Sequence, residues 1–204
     1  MIKDLKIPKT LRLYLGPGQG VVHGQHIEVM AKEGPEWTFV DKYVYRDGWI
    51  KMDAGDLKYP PETVDTIYAS HLLEHFAGNQ PEGAPNISAQ AALKNWYKVL
   101  KFDGKVIINV PDFTWACDYF LKKQRNPNYW DKRDTIFHFT ADNVLSIFFG
   151  SQSTLGEFHY TGFTVVSLSE LLKSVGFDDI RIKTMWDAHA MQVIFAEAYK
   201  RKSL

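Results

Sequence analysis

Residues 64–76 read VDTIYASHLLEHF, a helix-patterned stretch follows and ends in ALKNWYKVLK, and the chain then continues FDGKVIINVPD to Asp112. The first run is apolar enough for a strand buried on both faces, which predicts Thr66–Ala69 inside a sheet, with the strand ending at Ser70. Polar residues begin at that end: His71, Glu74 and His75. Ala92, Leu93, Trp96, Tyr97 and Leu100 then recur at helical spacing, predicting a helix from Ser88 to Lys101. Asp103-Gly104 reads as a turn into a second buried strand, Lys105–Val110, which stops at Pro111-Asp112. A strand, helix and strand with polar groups at both carboxyl ends describe the ligand-binding rim of an open α/β sheet.

The rest of the chain fits that frame. Leu11–Leu15 reads as a strand running into Gly16-Pro17-Gly18-Gln19-Gly20, and Trp37–Val40 as another ending at Asp41. Val21–Glu36 has a weak helical pattern, so the helix after the glycine loop should be short. Ser167-Leu168-Ser169-Glu170 has the form of a capping box for a helix that Gly176 ends. Ile180–Trp186 and Met191–Tyr199 read as antiparallel neighbours across a short connection. The expected fold class is α/β, Rossmann-like, with a mostly parallel seven-stranded sheet, one antiparallel strand near the C-terminus and helices on both faces. With 204 residues and no repeat or linker, one domain spanning 1–204 is expected.

Composition narrows the function classes. Lys plus Arg and Asp plus Glu both number 24, so no net charge favours nucleic acid or an anionic membrane. MIKDLKIPKT lacks the apolar core of a signal peptide, and no run reaches the roughly 20 apolar residues of a membrane span. A lone cysteine, Cys117, excludes an internal disulfide and suits the cytoplasm. A homodimer is compatible with the aromatic content, though no specific patch points to one.

The glycine loop follows a strand, where absent Cβ atoms let backbone approach a bulky ligand. Asp41 closes the next strand about 20 residues on, the spacing at which a carboxylate accepts both ribose hydroxyls. A second acidic group, Asp53-Ala54-Gly55-Asp56, follows. These features suit a ligand containing a nucleoside.

Several motifs together make the chain resemble a class I S-adenosylmethionine-dependent methyltransferase, similar to small enzymes associated with polysaccharide and glycan biosynthesis. They are the glycine loop, the acidic strand end, Asp65–His75, Trp96–Gly104, Val110–Asp112, His159–Phe163 and Leu168–Phe177. The resemblance departs at Tyr14, where the family has Asp, Glu or Asn, at Pro17 within the loop, and at Phe102-Asp103 in place of Pro-Gly. It implies S-adenosylmethionine as cofactor, with Gly16, Gly18 and Gly20 under its methionine and ribose portions and Asp41 on the ribose hydroxyls. Asp53 and Ala54 would lie near the adenine, and Ser70 and His71 near the sulfonium.

Methyl transfer to a small-molecule or glycan acceptor needs in-line alignment, and a hydroxyl acceptor would gain from a general base. His71 at the sheet edge ranks first for that base and His159 second, followed by His138 and Asp112. His71 and His75 have i, i+4 spacing, but Glu74 is not placed as in His-Glu-x-x-His, so no metal is expected. The aromatic-rich stretch of about 113–164 interrupts the α/β alternation and is expected to be partly core and partly a substrate cover. Two other classes fit parts of the pattern. One is a nicotinamide-dependent oxidoreductase, which leaves the Asp65–His75 and Trp96–Gly104 blocks unexplained. The other is a non-catalytic protein of the methyltransferase fold.

Overall fold

A computed structural model describes residues 8–18, 25–44, 46–76, 87–126, 128–129, 141–187 and 191–202. Seven strands form one sheet: β1 (Arg12–Leu15), β2 (Thr38–Asp41), β3 (Ile50–Lys51), β4 (Val64–Ser70), β5 (Leu100–Pro111), β6 (Asp178–Trp186) and β7 (Gln192–Tyr199). Their order is β3-β2-β1-β4-β5-β7-β6, and β7 runs antiparallel to both β5 and β6. The other pairings are parallel. The expected sheet, with one reversed strand near the C-terminus, is therefore observed.

Strands β4 and β5 lie at the centre; β4 is buried almost throughout and β5 from Val106 to Pro111, as their apolar runs require. Alternation along β1 divides the core. Leu13 and Leu15 face one side, with Ile67, Ala69, Val106 and Ile108. Tyr14, Tyr68 and Ile107 face the other, under Val29 and Met30 of α1 (Gln25–Glu33). Helices α2 (Ala89–Val99) and α5 (Val165–Val175) cover the first side through Ala92, Leu93, Trp96, Leu168 and Leu172. Helices α3 (Phe113–Arg125) and α4 (Ala141–Phe149) form a smaller core of Ala116, Tyr119, Val144 and Ile147. Several aromatics of the 113–164 stretch are thus packed between two helices.

Three boundaries differ from the sequence reading. Helix α2 ends at Val99 and passes directly into β5, so Asp103 and Gly104 lie inside the strand rather than in a turn before it. Asp103 takes a left-handed φ of 63° there, and the β4–β5 register shifts between Val64 and Thr66. The capping box of α5 belongs to Thr164 and Ser167, not to Ser167 and Glu170, because the helix starts one turn earlier. Glu74 and His75, whose place after the strand suits the opening of a helix, belong to a single 3₁₀ turn, Leu73–His75.

Tyr14 explains itself in this frame. Its ring stacks near Tyr68 (4.8 Å) and Phe39 (5.8 Å), buried beneath α1. The Tyr68 hydroxyl lies 2.8 Å from His26 Nδ1. An aromatic core residue stands where the resemblance implies a polar one, and burial pushes its phenol pKa upward.

Candidate active site

Strand order reverses between β1 and β4, and in sheets of this kind the ligand crevice opens at the carboxyl ends of those two strands. Gly16 and Gly18 leave β1 there with φ of 61° and 63°, values that glycine adopts without penalty. A Cβ on Gly16 would meet Leu72 Cδ1 at 2.6 Å, so the loop rests directly on the segment after β4. Among the described residues nothing lies within 4 Å of the corresponding position on Gly18, which leaves open space on that side of the backbone. Gly20 lies outside the described residues.

Asp41, at the end of β2, is buried. Its Oδ2 accepts from Gly18 N at 3.0 Å, and its Oδ1 accepts from Tyr43 N and Val44 N at 2.8 and 2.9 Å. One carboxylate thus staples the glycine loop to the chain leaving β2. Asp53 accepts from Gly55 N at 2.9 Å and pairs with Lys42 at 2.9 Å. The neighbouring Ala54 carbonyl accepts from the fully buried Trp96 Nε1 at 2.6 Å, so the core side of α2 sets the position of this turn.

The end of β4 is built around His71. Its φ of 48° is uncommon for a residue with a Cβ and bends the chain out of the strand, while its N–H donates to Asn109 O at 2.7 Å. The imidazole lies between two carboxylates: Nδ1 is 3.5 Å from Glu74 Oε1, and Nε2 is 3.3 Å from Asp187 Oδ2. Burial alone would lower the His71 pKa. The Asp187 and Glu74 carboxylates outweigh it and raise the pKa to about 9, so the ring is an imidazolium at neutral pH. Burial would likewise raise Glu74, but the charge and proximity of His71 bring it below the ordinary carboxylate range.

Ser70, beside His71, pairs in register with Asn109 of β5, and both are buried. Neither atom of the Asn109 amide has a hydrogen-bond partner among the described residues. Buried polar groups ordinarily find partners, so an orphaned amide at the carboxyl end of a central strand points to a ligand.

His159 sits on a segment that crosses this rim. Its N–H donates to Phe149 O at 3.1 Å, and the Glu74 carbonyl accepts from Tyr160 N (2.9 Å) and Thr161 N (3.2 Å). Upstream, a Cβ on Gly156 would lie 3.1 Å from the Tyr43 ring, so the segment reaches from the β4 rim to the chain after β2. His159 Nδ1 lies 2.8 Å from Ile147 O, and His75 Nδ1 lies 2.9 Å from Phe158 O. A carbonyl only accepts, so Nδ1 carries the hydrogen in both rings and Nε2 keeps its lone pair in the neutral form. Burial lowers the His159 pKa, which favours that form. Asp112 caps α3, accepting from Thr114 N and Trp115 N at 2.9 and 3.3 Å. His138 falls outside the described residues.

The structure therefore brings the glycine loop, Asp41, Ser70, His71 and His159 to one edge. Asp187 and Asn109 escaped the sequence reading. A lone amide within VIINVPD was a usable signal for Asn109, whereas Asp187 meets His71, a partner 116 residues earlier in the chain.

Residues 16–108 match the family described as "Methyltransferase domain". None of the curated proteins matches the chain. Solved structures do. A SAM-dependent methyltransferase from Thermotoga maritima is 13% identical with a TM-score of 0.56, covering 96% of this chain and 84% of its own. One from Archaeoglobus fulgidus is 17% identical with a TM-score of 0.55, covering 95% and 88%. A third is the Burkholderia thailandensis 1,6-didemethyltoxoflavin-N1-methyltransferase, solved with 1,6-didemethyltoxoflavin and S-adenosylhomocysteine. It is 14% identical with a TM-score of 0.54, covering 95% and 72%. The sheet order, its reversed β7 and these neighbours define the Rossmann-like methyltransferase fold. The family match covers 16–108, the part of the chain that carries β2 to β4, α2 and most of β5.

Proposed function

We propose that this chain is an S-adenosylmethionine-dependent methyltransferase that acts on a hydroxyl of a small-molecule or glycan acceptor, at the rim formed by the ends of β1, β2 and β4. The observation that carries the proposal is Asp41, whose buried carboxylate shapes the glycine loop beside the open space at Gly18. In this reading Gly16, Gly18 and Gly20 pass beneath the methionine and ribose portions of the cofactor. Asp41 holds the ribose hydroxyls, Asp53 and Ala54 flank the adenine, and Ser70 and His71 lie toward the sulfonium.

The bound cofactor supplies an already activated methyl group, so these residues mainly hold the acceptor oxygen in line with it. His71, as an imidazolium, orients and stabilises charge instead of removing a proton. His159, neutral and with a free Nε2 lone pair, suits the general base. The segment from Gly150 to Phe163 closes over the rim as part of a covering region of about 113–164 within one 1–204 domain. The exposed rings of Tyr43 and Phe149 give it apolar surface for a sugar face. The sequence resemblance supports a glycan acceptor, and the lone Cys117 supports a cytoplasmic enzyme. A homodimer remains part of the proposal.

Titration calorimetry tests the cofactor side. S-adenosylmethionine and S-adenosylhomocysteine should bind the wild type, NADH should not, and Asp41→Ala should lose the first two. Methyl-labelled cofactor offered with free sugars, oligosaccharides and small phenols tests the acceptor side. Label appearing only on nitrogen or carbon acceptors would sink the hydroxyl assignment.

A further inference from the structure

We infer that Glu74, His75 and His159 form a binding site for a single divalent transition-metal ion. Their ligand atoms all lie within 4.8 Å of one another, and the two imidazole rings meet edge to face with centroids 4.7 Å apart. Around an ion with bonds of about 2.1 Å, such atoms sit roughly 3.0–3.4 Å apart. Small side-chain rotations therefore complete the site.

Three features favour a metal over simple packing. First, both histidines commit Nδ1–H to a backbone carbonyl, His75 to Phe158 O and His159 to Ile147 O. Histidine ligands are oriented this way around metals, because the outer hydrogen bond fixes the tautomer and turns the Nε2 lone pair inward. Second, Glu74 is only 2% exposed, and while its Oε1 faces His71 at 3.5 Å, its Oε2 has no hydrogen-bond partner among the described residues. A buried carboxylate oxygen in that condition is costly, and a cation between it and two imidazoles removes the cost. Third, His71 stands 3.5 Å from Glu74 Oε1 on its other flank and is itself anchored by Asp187. That chain would hold the carboxylate in place without filling the third ligand position.

Two imidazoles and one carboxylate suit Zn²⁺, Co²⁺, Mn²⁺ or Fe²⁺ better than Ca²⁺ or Mg²⁺, which prefer oxygen donors. The i, i+4 pair His71 and His75 is not the ligand pair. His71, with its φ of 48° just before the 3₁₀ turn, faces Asp187, and the missing ligand comes from a loop 84 residues beyond His75. Metal binding stands apart from methyl transfer; only its use rests on the function proposed above. In that use the ion would hold the acceptor hydroxyl at an open position and lower its pKa, and His159 would serve as a ligand in place of a base.

Metal-free protein should be titrated with Co²⁺, followed by visible absorption, and with Zn²⁺ by calorimetry. One equivalent should bind. His75→Ala and His159→Ala should each weaken binding at least tenfold while melting cooperatively and keeping cofactor affinity. Because both side chains also anchor backbone, long-range ¹H–¹⁵N spectra of the wild type supply an independent readout. The Nε2 resonances of His75 and His159 should move on adding Zn²⁺. Binding below one equivalent, variants that bind as the wild type does, or unmoved Nε2 resonances would overturn the site. Metal bound without S-adenosylmethionine binding would leave the site standing and refute the cofactor reading. The reverse would refute the metal alone.

Discussion

His71 Nε2 lies 3.3 Å from Asp187 Oδ2, joining the carboxyl end of β4 to that of β6 across the sheet. The two strands are separated by β5 and β7, so this contact ties the central rim to the far edge. It also sets the charge of the histidine.

A histidine whose pKa is raised on folding stabilises the native state below its unfolded pKa, and this contribution disappears as pH rises through the folded value. For His71 the window runs from about 6.5 to about 9. Metal-free protein in chelator should therefore lose stability steadily from pH 7 to above pH 9. The His71 ring should titrate near the upper limit by NMR, and Asp187→Asn should lower that midpoint. A midpoint at or below 6.5 in the wild type would contradict the ion pair.

Asp41 accepts three backbone hydrogen bonds, so its removal acts on the loop before any ligand arrives. Each bond to a charged buried group is worth about 1.5–3 kcal/mol. Asp41→Ala should lower the denaturation midpoint and weaken S-adenosylhomocysteine binding more than tenfold. Asp41→Asn, which keeps one accepting oxygen, should fall between it and the wild type in both measurements.

Asn109 offers the opposite trade. Replacing an unsatisfied buried amide with an apolar group of similar size is close to neutral or stabilising. Asn109→Leu should therefore match or exceed wild-type stability in urea while losing cofactor or acceptor affinity. Weaker stability with unchanged binding would mean that the amide serves only the fold.

At Tyr14 the ring matters more than the hydroxyl, which lies a long 3.4 Å from His26 Nδ1. Tyr14→Phe should cost about 0.5–1.5 kcal/mol and keep cofactor binding. Tyr14→Ala, which empties an aromatic site, should cost about 3–5 kcal/mol. Calorimetric melting of both variants separates the two contributions.

Helix α5 is capped by Thr164. Thr164→Ala should cost about 1 kcal/mol in urea denaturation, as N-cap losses do. Glu170→Ala, on the exposed side of the helix, should change little.

Much of the architecture was legible because it depends on local pattern. The apolar runs Thr66–Ala69 of β4 and Val106–Val110 of β5 fit central strands, since side chains on both faces are buried there. The spacing of Ala92, Leu93 and Trp96 required a helix with one buried face, and Gly176 could end α5 because its φ of 109° suits no other residue well. The placement of Gly16, Asp41 and Ser70 followed from the same logic, as each closes a strand that the apolar pattern had already bounded. What only the tertiary structure decided is which side chains meet after those ends. Asp187 reaches His71, and His159 joins Glu74 and His75, through contacts spanning 116 and 84 residues of sequence. Neither contact has a periodicity to announce it. Both arise because parallel strands bring all their carboxyl ends to one edge, where loops far apart in the chain share a single low-dielectric space and set each other's charge.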